Sequence, residues 1–321
     1  MKKVLAILLA LVMVVAMTAC GGGKKEPETF QFGLGVANSV SAKAATAEKD
    51  GQVQVNPTYA IILVDKDGKI VKCEFDVAQE TAKVNAAGVW SFTEAPTKRE
   101  KGTDYNMAKA SPIGKEWYEQ ADFLAEKVIG LTKDEVLTKL AYDGENHATD
   151  ADILAGCTIH INDFVDALKN AFGHLEDAGT ATEIQLGVTM STTPKDAESF
   201  QFDINVGASA KDADGKLSAV QIDCSQLKFT LGEGGAITSP ADLRSKYDKG
   251  ADYGMTKASP IGKEWFEQVD HLGESLEGKT VDEVKAVAID ADGKATDADI
   301  LAGCTIGHLD GLIGSVVNGW K

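Results

Sequence analysis

Residues 148–159 read ATDADILAGCTI, and the same letters return without change as residues 295–306. A second stretch, KASPIGKEW at 109–117, returns as 257–265. The offsets are 147 and 148 residues, so the sequence between the two stretches has lost one residue in the second copy. A solenoid repeats every 20–45 residues or so, which is far shorter than this period. The chain is therefore predicted to contain two tandem homologous domains, each with its own core.

The sequence before these stretches indicates an antiparallel sheet in each copy. In the first copy, Tyr59–Asp65 and Ile70–Val77 are rich in β-branched and aromatic residues and flank a turn that contains Asp-Gly. This combination is typical of a β-hairpin. In the second copy, Phe200–Val206 and Leu217–Asp223 repeat the pattern. We expect one hairpin of long strands in each domain.

The same acidic turns, at 65–68 and 212–215, also resemble parts of calcium loops, and so does 290–293. An EF-hand loop needs more oxygen ligands and a closing Glu at its twelfth position, and both are missing here. Hairpin turns are therefore the favoured interpretation. The five histidines form no repeated ligand pair, so no metal site is predicted.

Helical signals dominate the rest of each copy. Ser-Pro at 111–112 and 259–260 places an N-cap residue before a proline, which predicts that a helix begins there. Capping-box spacing at 132–135 and 280–283 predicts a second helix. A third helix is predicted after Thr158. Each copy is thus an antiparallel sheet followed by about three helices, which is an α+β fold.

The N-terminus predicts export and lipid attachment. Two lysines precede an apolar run at residues 4–16, which is too short to span a bilayer core of about 30 Å and is typical of a signal peptide. Cys20 follows Thr-Ala and resembles the lipidated cysteine of the bacterial lipobox, with ordinary secretory cleavage as the alternative. Four segments are therefore predicted: signal peptide and lipobox at 1–20, flexible tether at 21–28, and domains at 29–178 and 179–321.

Charge and cysteine placement limit the partners. A formal net charge of −17 argues against a nucleic-acid partner, because phosphate binding needs a basic face. The lipid on Cys20 is expected to hold the chain at the extracellular face of the bacterial cell membrane. Cys73 and Cys224 fall at non-equivalent places in the two copies. A repeated disulfide framework is therefore not expected, and free or buried thiols are predicted.

The repeated segment DILAGCT, at 152–158 and 299–305, is the candidate site. A glycine two residues before a threonine, ahead of an amphipathic helix, predicts a tight turn with a hydroxyl at the helix start. Free N–H groups and the helix dipole there favour a phosphate. Gly156 and Gly303 would let the chain approach a bulky group closely. From the residues alone, a plain N-cap role for Thr158 and Thr305 is the favoured alternative.

This segment resembles the Asp-x-x-(Ser/Thr)-Gly-Ala-Thr motif of the FMN-binding domain family, whose threonine receives FMN from FAD through a phosphoester bond. Ser-Pro-Ile-Gly at 111–114 resembles the Thr-Pro-Gly-x-Gly segment upstream in that family. The resemblance implies covalent FMN, two per chain, on Thr158 and Thr305, with Asp152 and Asp299 opening the motif.

Both copies depart from the family motif in the same two places. Ala155 and Ala302 stand where Ser or Thr is usual, which removes a hydroxyl that could contact the cofactor or the modifying enzyme. Cys157 and Cys304 stand where Ala is usual, which adds volume beside the attachment point. The identical departures are consistent with a variant class of the motif.

The resemblance implies a redox carrier more than a stand-alone enzyme. A FAD:protein FMN transferase would attach the cofactor, a membrane-embedded quinone-linked donor would supply electrons, and extracellular acceptors would receive them. One alternative is a non-redox surface lipoprotein, such as a solute-binding protein or an adhesin. Another uses Cys157 and Cys304 as redox thiols, because a helix N-terminus lowers the pKa of a thiol.

Two aromatic pairs are candidates for the wall of a flavin pocket. Trp117 and Trp265 have the spacing of helical core residues, and a core position is the favoured interpretation, with ring stacking on a flavin as the alternative. Tyr105 and Tyr253 lie just before the repeated stretches and are weaker candidates, with a surface loop as the alternative.

Overall fold

The computed structural model describes residues 27–194, 196 and 198–321. The predicted signal peptide, the lipidated Cys20 and residues 21–26 of the predicted tether lie outside these residues. Within the described part, no helix combines the length and the apolar character needed to cross a membrane.

The described chain forms two antiparallel sheets, one from each half. The first half contributes β1 (Gln31–Lys43), β2 (Gly51–Val64), β3 (Ile70–Val77), β4 (Glu80–Val84), β5 (Trp90–Phe92) and β6 (Glu176–Asp177). Its order is β5-β4-β2-β1-β6, with β3 pairing β2 beside β4. The second half contributes β7 (Glu183–Met190), β8 (Thr193–Pro194), β9 (Ser199–Lys211), β10 (Leu217–Leu231) and β11 (Ile237–Thr238). Its order is β11-β10-β9-β7, with β8 pairing β9.

Helices follow the main strands in each half, which gives the expected combination of antiparallel sheets and helices, but the described residues form five α-helices in each half where about three were predicted. The first half has α1 (Lys98–Lys101), α2 (Trp117–Val128), α3 (Lys133–Lys139), α4 (Ala151–Leu154) and α5 (Asn162–Gly173). The second half has α6 (Lys246–Lys249), α7 (Trp265–Leu276), α8 (Val281–Lys285), α9 (Ala298–Gly303) and α10 (Leu309–Asn318). The capping boxes predicted for α3 and α8 are present. Two sheets, each with its helices, are consistent with two domains.

The predicted hairpins are confirmed. In the turn between β2 and β3, Asp65 Oδ1 accepts hydrogen bonds from the backbone N–H groups of Asp67 and Lys69, both at 2.9 Å. Gly68 takes a φ of +76°, which glycine adopts without strain. Asp212 makes the same two contacts in the turn between β9 and β10. These carboxylates therefore stabilise hairpin turns, which is the interpretation that the sequence favoured over a calcium loop.

Strand β2 explains how the layers are built. Because side chains alternate along a strand, Tyr59, Ile61 and Leu63 pack into one apolar cluster that contains residues of both sheets. The intervening Ile62 and Val64 pack into another cluster, together with helices α2 and α5. Both faces of the sheet are buried at this end of the strand, which explains why residues 59–64 form a continuous apolar run.

The prediction that each copy has its own core holds only on the helical side. Residues of the first half alone form the cluster under α2 and α5, and residues of the second half alone form the cluster under α7 and α10. The third cluster joins the two sheets and includes Phe32, Phe200 and Phe202, all fully buried. The sequence did not indicate this shared core, because one copy read alone does not show which sheet face meets the other copy.

Close helix–sheet packing brings the candidate segment to the sheet. A Cβ placed on Gly35 of β1 would lie 1.9 Å from the carbonyl oxygen of Ala167 on α5. A Cβ on Gly187 of β7 would lie 2.5 Å from the carbonyl oxygen of Ser315 on α10. Only glycine permits such an approach. The loop that precedes each helix is consequently held beside the polar residues of the neighbouring strand.

Candidate functional site

A buried glutamine fixes the candidate threonine of the first half. Gln120 of α2 is fully buried, and its Oε1 accepts hydrogen bonds from the backbone N–H of Thr158 at 2.8 Å and from Thr158 Oγ1 at 3.2 Å. Its Nε2 donates to Ser111 Oγ at 3.2 Å and to the carbonyl of Lys115 at 3.1 Å. One side chain therefore ties the two stretches that recur in the sequence, and we call this set the Gln–Thr unit.

The second half builds the same unit. Gln268 of α7 is fully buried, and its Oε1 accepts from the N–H and Oγ1 of Thr305 at 2.9 and 3.2 Å. Its Nε2 donates to Ser259 Oγ and to the carbonyl of Lys263, both at 3.1 Å. Neither glutamine is among the candidate residues that the sequence pattern indicates. The available signal was that each stands three residues after a repeated tryptophan, where Glu119-Gln120 returns as Glu267-Gln268.

The helix predicted to begin at Ser111-Pro112 begins later, so that prediction is wrong. Helix α2 begins at Trp117, and Glu116 is its N-cap in a capping box with Glu119. Residues 111–114 form a turn closed by Gly114 N–H donating to the Ser111 carbonyl at 3.0 Å, with Gly114 at a φ of +65°. The serine hydroxyl serves Gln120 instead of capping a helix. The same displacement holds for 259–260, where α7 begins at Trp265.

Thr158 does not stand at the start of a helix, which corrects the predicted N-cap or dipole role. Helix α5 begins at Asn162, four residues later, and α10 begins at Leu309, four residues after Thr305. The field of a helix dipole falls off within the first turn. The threonines are therefore positioned by the buried glutamines and by the loop.

The two glycines of the motif leave space for an aromatic side chain of the neighbouring helix. A Cβ on Gly156 would lie 2.5 Å from the Phe123 ring, and a Cβ on Gly303 would lie 2.2 Å from the His271 ring. The bulky neighbour inferred from the sequence is consequently an aromatic side chain. His271 Nε2 also lies 2.8 Å from the carbonyl oxygen of Asp299.

The acidic residues that open the motif point to solvent. Asp152 is exposed, and one of its carboxylate oxygens lies 3.9 Å from Lys139 Nζ. Asp299 is exposed as well, and neither residue lines a cavity near its threonine. The preceding aspartates, Asp150 and Asp297, cap helices α4 and α9 through their side chains. Ala155 and Ala302 are exposed on the same surface.

The cysteines of the motif are unsuited to thiol chemistry. Cys157 and Cys304 are fully buried, and all four cysteines in the described residues are free, which confirms the prediction of free or buried thiols. Burial raises the pKa of the Cys157 thiol to about 11, and it raises that of Cys304 as well. The lowered thiol pKa expected from a helix N-terminus is therefore wrong, because burial outweighs it and the helices begin further along.

A cavity of about 540 Å³ opens beside Thr158. Its walls are the loop at 158–160, the polar face of β2 and the half-buried Lys98. Trp117 also lines it, although its ring is 2% exposed and stacks on Phe164 at 6.1 Å. Cofactor pockets commonly have volumes of roughly 300–1,000 Å³. Thr158 is half-buried and lines the cavity, so a group bonded to its side chain has space beside it.

A second cavity of about 550 Å³ occupies the equivalent place in the other half. Ile306 and Gly307, directly after Thr305, line it together with Lys246 and Trp265. Phe92, from the first half, closes one side and packs against Phe200 and Phe202 of the shared core. The second cavity is thus built from both halves of the chain.

Each cavity contains a lysine held over aromatic rings. Lys98 Nζ lies 5.3 Å from the ring centroid of Tyr105 and 5.6 Å from that of Trp117. Lys246 Nζ lies 5.4 Å from the rings of Tyr253 and Trp265. The two tyrosines therefore contact the lysines and do not line the cavities themselves. The tryptophans are core residues that have one edge at the cavity. Burial lowers the pKa of Lys98 to about 8.

The residues around the first cavity suit FMN. The cavity brings together the hydroxyl of Thr158, the ammonium group of Lys98, the edge of Trp117 and the side-chain amides of β2. The hydroxyl and the cation suit the phosphate of FMN, the aromatic edge suits the flavin ring, and the amides suit the polar edge of that ring. Among the residues that the structure describes, no group of three or more His, Cys, Asp and Glu side chains is placed to hold a metal ion.

The first cavity has the size and the kinds of lining side chain that a cofactor site needs. Residues 56–173 match the model of the FMN-binding domain family, so this part of the chain is an FMN-binding domain, and FMN is the cofactor that the match supports. The chain is also similar to chlorophenol reductase of Desulfitobacterium hafniense, 30% identical over 124 residues. That alignment covers 34% of this chain and 38% of the length of that protein. No solved structure matches the chain.

Proposed function

We propose that this chain is a lipid-anchored flavoprotein electron carrier with FMN esterified to Thr158 and to Thr305. The observation that carries the proposal is the Gln–Thr unit, which recurs in both halves beside a cavity large enough for a nucleotide. The match of residues 56–173 to the FMN-binding domain family supports the cofactor. The similarity to a protein named as a reductase supports a redox role.

The covalent step requires a partner that supplies FAD, and we propose a FAD:protein FMN transferase. The oxygen of the Thr158 hydroxyl forms a bond to the FMN phosphorus of FAD, the pyrophosphate P–O bond breaks, AMP leaves and the hydroxyl proton goes to solvent. Gln120 holds the threonine before and after this step. Its contact with the backbone N–H of Thr158 does not depend on the hydroxyl proton.

Bound FMN would supply one-electron and two-electron redox chemistry. The chain positions it: the Gln–Thr unit fixes the attachment point, the edge of Trp117 offers an apolar wall, and Lys98 supplies a positive charge. The covalent bond would prevent loss of the cofactor outside the cell. Electrons would arrive from a membrane-embedded quinone-linked donor and leave to extracellular acceptors.

The anchor is part of the proposal. We propose that Cys20 carries the lipid and places both halves at the extracellular face of the cell membrane, linked by the short segment at 21–28. A Cys20→Ser variant made in the native host is expected to leave the membrane fraction and to appear in the medium. Retention of this variant in the membrane fraction would contradict the lipid anchor while leaving the flavin assignment intact.

The attachment is tested by intact mass. Protein produced with the transferase is expected to carry two FMN-sized adducts, and Thr158→Val and Thr305→Val should each remove one. Thr158→Ser restores the hydroxyl and is expected to restore the adduct, and in each variant the untouched half is the matched control. If the wild-type protein carries no adduct when the native transferase is active, the proposed function is wrong.

A further inference from the structure

One position differs in charge between the otherwise similar polar faces of the two cavities. In the first cavity, Asn56 of β2 is held by two glutamines. Its Oδ1 accepts from Gln54 Nε2 at 3.0 Å and from Gln79 Nε2 at 3.3 Å. All three side chains line the cavity. The clamp is neutral.

In the second cavity an aspartate occupies the same clamp. Asp203 of β9 lies 147 residues after Asn56, which is the offset of the later repeated stretch. Its Oδ2 accepts from Gln201 Nε2 at 2.7 Å and its Oδ1 from Gln226 Nε2 at 2.8 Å. Asp203 is 9% exposed and lines the cavity with both glutamines. The same clamp of two glutamine amides therefore holds an acidic side chain here in place of an amide.

The other charged groups do not cancel this difference. The first cavity is lined by Lys98 and Asp163, with a formal charge of zero. The second is lined by Lys246, Asp203 and Glu94, with a formal charge of −1. The first cavity also has two histidines in its wall, whereas the second has one. By formal charge the second cavity is the more negative one, and Asp203 is the carboxylate that lies buried in it.

We infer that Asp203 sets the two redox sites apart, making the site at Thr305 the one of lower reduction potential, so that electrons pass from the second half to the first. The inference rests on the proposed function. Reduction by two electrons and one proton adds one negative charge to a flavin ring. A partly buried carboxylate beside the ring opposes that charge more strongly than a solvated one does. An amide at the same position does not.

The electron transfer needs no reactant other than the donor and the acceptor already proposed. An external reductant, the donor already proposed, gives electrons to the second site. Each electron that leaves the second site reduces the first site by one electron, and protons are exchanged with solvent at each. The first site then passes its electrons to the external acceptor. The direction follows from the order of the two potentials.

The test is a spectroscopic redox titration of flavin-loaded protein with one attachment site removed. Thr158→Val leaves the second site visible, and Thr305→Val leaves the first. The second site is expected to titrate at the lower potential. Asp203→Asn should raise the potential of the second site toward that of the first, and the reciprocal Asn56→Asp should lower the potential of the first site.

Asp214→Asn is the matched control, because it removes the same charge from an exposed turn of the second half. It is expected to leave the potential where it was. Equal potentials in the single-site proteins, or an Asp203→Asn shift no larger than that of the control, would overturn the inference while the flavin assignment stands. Single-site proteins without bound flavin would instead show that the proposed function fails.

Discussion

Replacing Gln120 by Met tests whether the buried glutamine holds the attachment site. The side chains have similar volume, so Gln120→Met leaves little cavity and removes only polar contacts. The N–H of Thr158 and the carbonyl of Lys115 lose their partners at 2.8 and 3.1 Å. Each of these two groups costs about 1–3 kcal/mol when it is buried without a partner. Part of this cost is offset because the variant no longer has to bury the polar amide of Gln120. We therefore expect the free energy of unfolding to fall by roughly 2–4 kcal/mol. This is a large share of a typical total of about 5–15 kcal/mol.

Urea unfolding measures the stability, and peptide mass mapping of protein produced with the transferase measures modification at each threonine. Gln120→Met is expected to lower modification of Thr158 and to leave Thr305 modified. Gln268→Met is the matched control and should give the reverse pattern. Glu126→Gln, on the exposed side of α2, should change neither quantity. A Gln120→Met protein with wild-type stability and full modification at Thr158 would refute the reasoning, and lost stability with full modification would refute the positioning role alone.

Three further predictions follow from the contacts around the site. Gly156→Ala should cost about 1–3 kcal/mol in urea unfolding, because its Cβ would lie 2.5 Å from the Phe123 ring, and the same substitution in a Phe123→Ala background should cost much less; an undiminished stability of the single variant would contradict the contact. Burial raises the pKa of Cys157 to about 11 and that of Cys304 above its ordinary value, so both thiols should be alkylated more slowly at pH 8 in native than in urea-unfolded protein, Cys157 on the order of a hundredfold. Equal rates would show the thiols to be accessible. Burial lowers the pKa of Lys98 to about 8 from an ordinary value of 10.5, so between these pH values the unfolded chain binds more protons than the folded chain does. The free energy of unfolding should therefore rise with pH in this range, and Lys98→Met should remove this rise. Identical pH profiles of the two proteins would contradict the burial of a charged Lys98.

Local signals in the sequence were sufficient for the elements whose causes are local. The hairpin turns at Asp65 and Asp212 follow from an aspartate that caps its own turn and a glycine at positive φ. The capping boxes at Thr132 and Thr280 follow from one side chain and one backbone group three residues apart. These interactions need no partner elsewhere in the chain, so spacing alone predicted them.

The misplaced helix start at Ser111 had a distant cause. A Ser-Pro pair satisfies the local rule for a helix N-terminus, but Gln120 takes the serine hydroxyl and Glu116 caps the helix instead. The contact between Gln120 and Thr158 spans 38 residues and has no periodic pattern. The core between the two sheets joins residues still further apart, so the sequence of a single copy could not reveal it.

The residues proposed to attach FMN and those proposed to set its reduction potential lie in different parts of the fold. The Gln–Thr unit has the same partners and nearly the same distances in both halves, from 2.8 to 3.2 Å around each threonine. The strand face that lines the cavity differs in charge, with Asn56 in one half and Asp203 in the other, although an equivalent pair of glutamines holds each of them. In the proposed function one modifying enzyme acts on both threonines, because the segment that surrounds them is identical in the two halves. The strand faces differ in charge without a change in the Gln–Thr unit, which is what the proposal of two flavins with unequal potentials requires.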